Sequence, residues 1–397
     1  MSDIDFKQLK NELSVLSVFR NLLSKKEFVC LVDFLDDRQN LSYKLFKYGE
    51  FVSLLASYDF SFSDFLKKAV CEDENILISL AAKEKAIPSS VQKNAERELE
   101  IFSELSKITR EDIRAYLEYD GYLPEFENTP TDFKSMYSDR CENVSCFGYG
   151  IFTSYPMFKV VGNEIVPVKS CDEIEVQAFV GYEKERQAVI DNTTALVKGS
   201  PANNVLLYGD AGTGKSSTVK AVANMFFDKG VRLIEIRKDQ LLQLCDIMGK
   251  IADNPLKFII FIDDLSFNKN DDQFSMLKAA LEGSASVRAG NAVIYATSNR
   301  RHIVKETFSD RATGGDDIHR NDTVQELLSL SERFGLTVYF SKPNKILYLD
   351  IVHQLAKRYS IDMEQGELDV KAEAFALNKG NRSPRAAEQF IKSLITT

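Results

Sequence analysis

The sequence predicts an α/β protein, with a sheet core of five strands set between a mainly helical N-terminal domain and a helical C-terminal lid. Three observations predict it. The stretch Val205–Ser217 passes from an apolar run of strand length into a glycine loop and then into a helical pattern. Four further apolar runs follow, Val231–Ile236, Lys257–Ile262, Ala292–Asn299 and Thr337–Phe340, with helical stretches between several of them. Residues up to about 135, and those after 341, carry apolar positions at helical spacing.

In order, residues 1–135 form the predicted helical domain. Lys7–Leu23 and Tyr43–Tyr58 have helical periodicity, and Pro88 breaks the pattern before Ser89 or Ser90 caps a helix running past Glu96. Thr109, followed three residues later by Asp112, opens another helix with a capping-type start. Residues 136–178 read as a connector containing a β-hairpin. In it Met157–Val161 and Ile165–Val168 flank Gly162 and Asn163, a pair suited to a tight primed turn. Residues 179–341 make the α/β core, entered through a helix at Glu183–Val197. Residues 342–397 make the lid, with helices at Asn344–Tyr359, Asp369–Asn378 and Pro384–Leu394.

Composition narrows the class. The chain has 397 residues, long enough for two or three domains, and its 44% hydrophobic and 27% charged residues are those of a globular protein. Its longest apolar runs are far too short to span a bilayer, and the polar, acidic start lacks a signal-peptide core, so a cytoplasmic protein with no membrane partner is expected. A net charge of −9 argues against a broad nucleic-acid surface, leaving only a local basic patch open. The six cysteines are scattered and there are three histidines, which do not assemble a tetrahedral metal site. Reduced thiols are expected.

The chemistry gathers in the core. Gly209, Asp210, Ala211, Gly212, Thr213, Gly214, Lys215, Ser216 and Ser217 form a Gly-x-x-x-x-Gly-Lys-Ser loop between a strand and a helix. In that context glycines let backbone N–H groups face an anion, the lysine reaches β- and γ-phosphates, and Ser216 can hold Mg²⁺. Asp263 and Asp264 end a wholly apolar strand, where open α/β sheets place ligands. Asp263 is the candidate metal-positioning acid and Asp264 the candidate for orienting water. Asn299 ends the next strand, positioned for a γ-phosphate or the water beside it. Val180 and Tyr182, just before the core, are candidates for lining an adenine pocket. A buried valine at an ordinary helix start explains them equally well.

Together these residues resemble the AAA+ ATPases. The P-loop, the acidic strand end at Asp263 and Asp264, a sensor-one-like Asn299, an arginine-finger-like Arg333 between Ser331 and Gly335, and a sensor-two-like Arg385 occur in that superfamily's order. The segments 295–302 and 383–385 resemble, more narrowly, a bacterial AAA+ family known only as a domain of unknown function (eight-fifteen). The resemblance implies a parallel sheet with the Asn299 strand between the P-loop strand and the acidic strand. It implies ATP and Mg²⁺ as ligands, and a ring or spiral homo-oligomer in which Arg333 acts on a neighbour's ATP while Arg385 touches its own. Asp263-Asp264 departs from the superfamily's usual Asp-Glu. The shorter acid implies slow, switch-like hydrolysis. The expected function is Mg²⁺-dependent ATP hydrolysis that remodels or loads a protein partner chosen by the N-terminal domain. A nucleotide-controlled scaffold with little turnover is an alternative. A DNA-associated loader or helper is another, suggested by Asp-Asp-Leu and by Arg300, Arg301 and His302.

Overall fold

The computed structural model describes residues 4–169, 179–265, 277–278, 281, 290–299 and 333–395. The chain divides into two compact units, Met1–Ser154 and Tyr155–Thr397. The division falls later than the expected boundary after residue 135, because two further helices pack into the first unit. That unit comprises α1 (Phe6–Ser14), α2 (Lys26–Phe34), α3 (Leu41–Leu54), α4 (Phe62–Glu72), α5 (Ile76–Ala82), α6 (Ser89–Leu105), α7 (Arg110–Leu117), α8 (Phe133–Glu142) and α9 (Val144–Phe147). Phe133, Tyr137 and Val144 of the last two are buried in the same core as Phe19, Phe28 and Phe102.

Two details differ from expectation. The helix predicted over Lys7–Leu23 stops at Ser14. Its continuation is prevented because the backbone N–H groups of Ser17, Val18 and Phe19 all donate to the buried Glu98 carboxylate, at 2.7–3.1 Å. Helix α6 is entered from Pro88, with no serine side chain capping it. The expected start at Thr109 is present as a reciprocal capping box with Asp112.

The second unit is a seven-stranded sheet in the order β2-β1-β4-β5-β6-β3-β7. Its strands are β1 (Met157–Val161), β2 (Glu164–Pro167), β3 (Val205–Gly209), β4 (Val231–Ile236), β5 (Lys257–Ile262), β6 (Ala292–Ser298) and β7 (Leu336–Phe340). The five core strands run parallel, and β6 lies between β3 and β5. The hairpin does more than connect. Strand β1 pairs antiparallel with β2 and parallel with β4, so it widens the core sheet. Gly162 takes the left-handed φ of 61° that its turn requires.

Strand β5 is buried from Phe258 to Ile262, as a wholly apolar central strand must be. Helices α10 (Glu183–Val197) and α11 (Lys215–Met225) cover one face, packing Val189, Leu196, Val219 and Val222 against Val205, Leu207, Tyr295 and Phe340. The buried Tyr295 hydroxyl accepts from Asn192 at 3.0 Å, which ties α10 to the middle of β6. Helix α12 (Leu244–Ile251) follows β4. The lid comprises α13 (Lys345–Arg358), α14 (Gln365–Asn378) and α15 (Pro384–Ile395) around a core of Tyr348, Ile351, Ala372 and Phe390. Among the described residues no helix is long and apolar enough to cross a membrane.

Candidate nucleotide site

Strand β3 ends where the chain must turn sharply into α11. Gly209 (φ 135°) lies against β7, and a Cβ there would overlap the Phe340 carbonyl, so only glycine fits. Gly212 and Gly214 also have positive φ, 77° and 92°. The Thr213 hydroxyl closes the loop by donating to the Asp210 carbonyl at 2.8 Å. Asp210 and Ala211 lie exposed on the loop, and Ser216 and Ser217 occupy the first turn of α11 half-buried.

Lys215 is buried beneath this loop. Its ammonium donates to the carbonyls of Gly209 (3.0 Å) and Asp210 (2.7 Å) and to Asn299 Oδ1 (3.1 Å). Burial pulls its pKa below the ordinary lysine value. The carboxylates of Asp210, Asp263 and Asp264 oppose that shift, and the Arg385 charge adds to it. A cation held at such a cost gains most from an arriving anion.

The parallel order of β5, β6 and β3 brings the remaining groups together. Ser216 Oγ donates to Asp263 Oδ1 at 2.6 Å, joining the start of α11 to the end of β5. Asn299, just past β6, accepts from Lys215 and donates through Nδ2 to Asp264 Oδ1 at 2.8 Å. One amide therefore links the P-loop lysine to the second acid. Asp264 has φ 52°, a left-handed conformation costing a non-glycine residue about 1 kcal/mol. Both acids are exposed. A hollow of about 450 Å³ beside the loop is lined by Tyr208, Gly209, Asp210, Asn299 and Tyr339. The Tyr208 and Tyr339 rings, on neighbouring strands, have centroids 5.1 Å apart.

The lid closes on the same loop. The Arg385 N–H donates to the Gly212 carbonyl at 3.3 Å, and a Cβ on Gly212 would lie 3.2 Å from Ser383 Oγ. Ser383 caps α15 by accepting from the Ala386 N–H at 3.1 Å. Val180 packs with the lid core. Of the two readings of Tyr182, its placement fits the packing one. Its ring lies against Phe340 (5.2 Å) in the sheet core, and its hydroxyl donates to the Ser341 carbonyl at 2.6 Å. Burial raises its pKa. Packing, rather than an open pocket wall, is what this side chain serves. The loop before it is fixed by Arg186, which donates to the carbonyls of Gly181 and Phe179.

Arg333 is not brought to this cleft. Phe340 pairs with Gly209 and Leu336 with Val205, so Arg333 precedes the far end of β7. Strand rise alone puts that end more than about 13 Å from the loop. Ser331, Glu332, Arg300, Arg301 and His302, and residues 309–320 and 322–330, where the sequence predicts a loop and a short helix, lie outside the described residues. Sequence reasoning missed Arg186 and, beside the acids, Thr297. The polar Thr-Ser-Asn ending of β6 was the available signal for the last.

Comparison with known proteins gives the chain a family. A family model described as "Protein of unknown function (DUF815)" matches residues 154–397. The chain belongs to this family. The DUF815 match begins where the second unit does and takes in the whole sheet and lid. Among solved structures, the chain is similar to the Thermotoga maritima RuvB Holliday junction branch migration motor, at 13% identity and a TM-score of 0.38, over 55% of this chain and 63% of that one. It is also similar to the replication initiator DnaA bound to AMPPCP and single-stranded DNA, at 18% identity and a TM-score of 0.39, over 57% of this chain and 66% of that one. The chain thus spans less than two thirds of the length of each. No curated protein matches it. The strand order and the P-loop between β3 and α11 make the core a P-loop NTPase fold of the AAA+ type.

Proposed function

We propose that the second unit binds ATP with Mg²⁺ and hydrolyses it slowly, and that turnover drives the remodelling or loading of a protein partner. One observation carries this reading: Asn299 is in hydrogen-bond contact with both Lys215 and Asp264. A γ-phosphate cradled by the loop would therefore meet a cation, an amide and a carboxylate within one cleft.

The donors fit a magnesium ion. Ser216 hydroxyl and Asp263 carboxylate are hard oxygen ligands, 2.6 Å apart at the end of the P-loop. The chemistry such an ion supplies is neutralisation of charge on the β- and γ-oxygens. The chain's own residues do the rest. Lys215 exchanges its loop carbonyls for phosphate oxygens. Asn299, released from Lys215, turns to the γ-phosphate or to the water beside it. Asp264 accepts a hydrogen bond from that water and aligns it. Arg385, already on the loop, adds positive charge from the lid. Arg333 precedes the end of β7 that lies away from the loop, which supports its use on a neighbouring copy's ATP in a ring or spiral.

The test is single-turnover hydrolysis by wild type and Asp264→Asn. We expect the variant to bind ATP with unchanged affinity and to hydrolyse it at least about a hundredfold more slowly, the range for loss of a general base. Equal rates would mean that another group orients the water.

A further inference from the structure

We propose that Thr297 is the positioning residue of this site, holding both acids through a single hydroxyl; the inference rests on the ATPase reading above. Thr297 is on β6, and the pairing of Ala296 with Ile262 sets it beside Asp263. It is buried, with 2% of its surface exposed, whereas both acids are exposed. Its Oγ1 is 2.5 Å from Asp263 Oδ1 and 2.9 Å from the Asp264 backbone nitrogen. The second contact fixes the direction of the first. The Asp264 N–H can only donate, so the hydroxyl must accept there and give its one proton to Asp263.

The consequences reach both carboxylates. Asp263 Oδ1, which also accepts from Ser216, is oriented toward the P-loop and cannot swing away with the β5–loop junction. The Asp264 backbone, with φ 52°, is pinned at its own N–H, and the Leu265 N–H donates to the Thr297 carbonyl at 2.7 Å on the next residue. Thr297 therefore staples the two residues on either side of the turn to the neighbouring strand. A buried threonine serving packing alone would need its methyl and not its hydroxyl.

The experiment compares wild type, Thr297→Val and Thr297→Ser as full chains. ATP affinity is measured by calorimetry in EDTA and in Mg²⁺, together with single-turnover hydrolysis. In EDTA all three should bind ATP within about twofold, since the loop and Lys215 are intact. In Mg²⁺ the valine variant should lose about tenfold or more of the metal-dependent tightening, and its hydrolysis should slow by about 10–100-fold, as when a group behind a metal ligand is removed. The serine variant should behave as wild type. If the valine variant fails to bind ATP in EDTA, Thr297→Ala replaces it as the hydroxyl-free variant. A valine or alanine variant with wild-type Mg²⁺ response and rate would overturn the proposal. So would a serine variant impaired as much as the valine one. Failure of wild type to bind ATP at all would instead overturn the ATPase reading, and this proposal with it.

Discussion

Two carboxylates, one in each unit, accept backbone N–H groups and end up with opposite characters. In the N-terminal unit Glu98 is 5% exposed and takes the N–H groups of Ser17, Val18 and Phe19 and the Ser17 hydroxyl. Those donors are frozen in a turn that ends α1, and the network is closed. In the second unit Asp263 accepts from Ser216, Thr297 and the Asp264 N–H, yet it remains exposed. Its neighbour Asp264 holds a left-handed backbone and touches Asn299, which is shared with a lysine whose charged form burial disfavours. The same hydrogen-bond chemistry thus builds structure where water is excluded and the backbone relaxed. It builds a site where the groups face a cleft and their partners can be exchanged.

The contrast can be broken by substitution. Glu98→Ala should have the larger effect on stability. It strands the buried N–H groups of Val18 and Phe19 and the part-buried one of Ser17, at about 3 kcal/mol in all once local water and relaxation are allowed for. Hydrogen exchange in the full chain should accelerate around residues 15–19, with ATP affinity unchanged. Protection equal to wild type would remove the closed character assigned to that network. Asp264→Asn should have the smaller effect. Asparagine tolerates the left-handed region, so stability should move by less than about 0.5 kcal/mol while turnover collapses. A large loss of stability would place Asp264 with Glu98, as a structural acid.

Much of this was legible in the sequence, because the informative groups are local. The P-loop is contiguous, the acids terminate one apolar run, and Asn299 terminates another. The five core strands follow from their apolar runs, their order from the resemblance, and the end of α10 from the breakers Gly199 to Pro201. What was not legible depends on strand neighbours. The partnership of Thr297 with Asp263 exists because β6 lies beside β5, and nothing in their separation of 34 residues encodes it. The addition of Met157–Val161 to the sheet depends likewise on a parallel pairing with β4. Tyr182 was ambiguous by sequence because its position, just ahead of α10, suits either a pocket wall or a core ring. The structure sets it against Phe340. The early end of α1 was hidden because Glu98, which takes the donors, lies some eighty residues away in sequence.

The measurement that tests the account most directly is calorimetric titration of ATP into the full chain, wild type against Lys215→Met, with and without Mg²⁺. Wild type should bind saturably, and more tightly with Mg²⁺. The variant should lose about 30-fold or more in affinity, the worth of charged hydrogen bonds to phosphate. It should lose no stability without nucleotide. Burial lowers the lysine's folded pKa, so its charge weakens the fold at neutral pH, and that penalty fades only as pH rises through the folded value. Equal ATP binding by wild type and variant, or none by wild type, would contradict the assignment of Gly209–Ser217 as the nucleotide cradle.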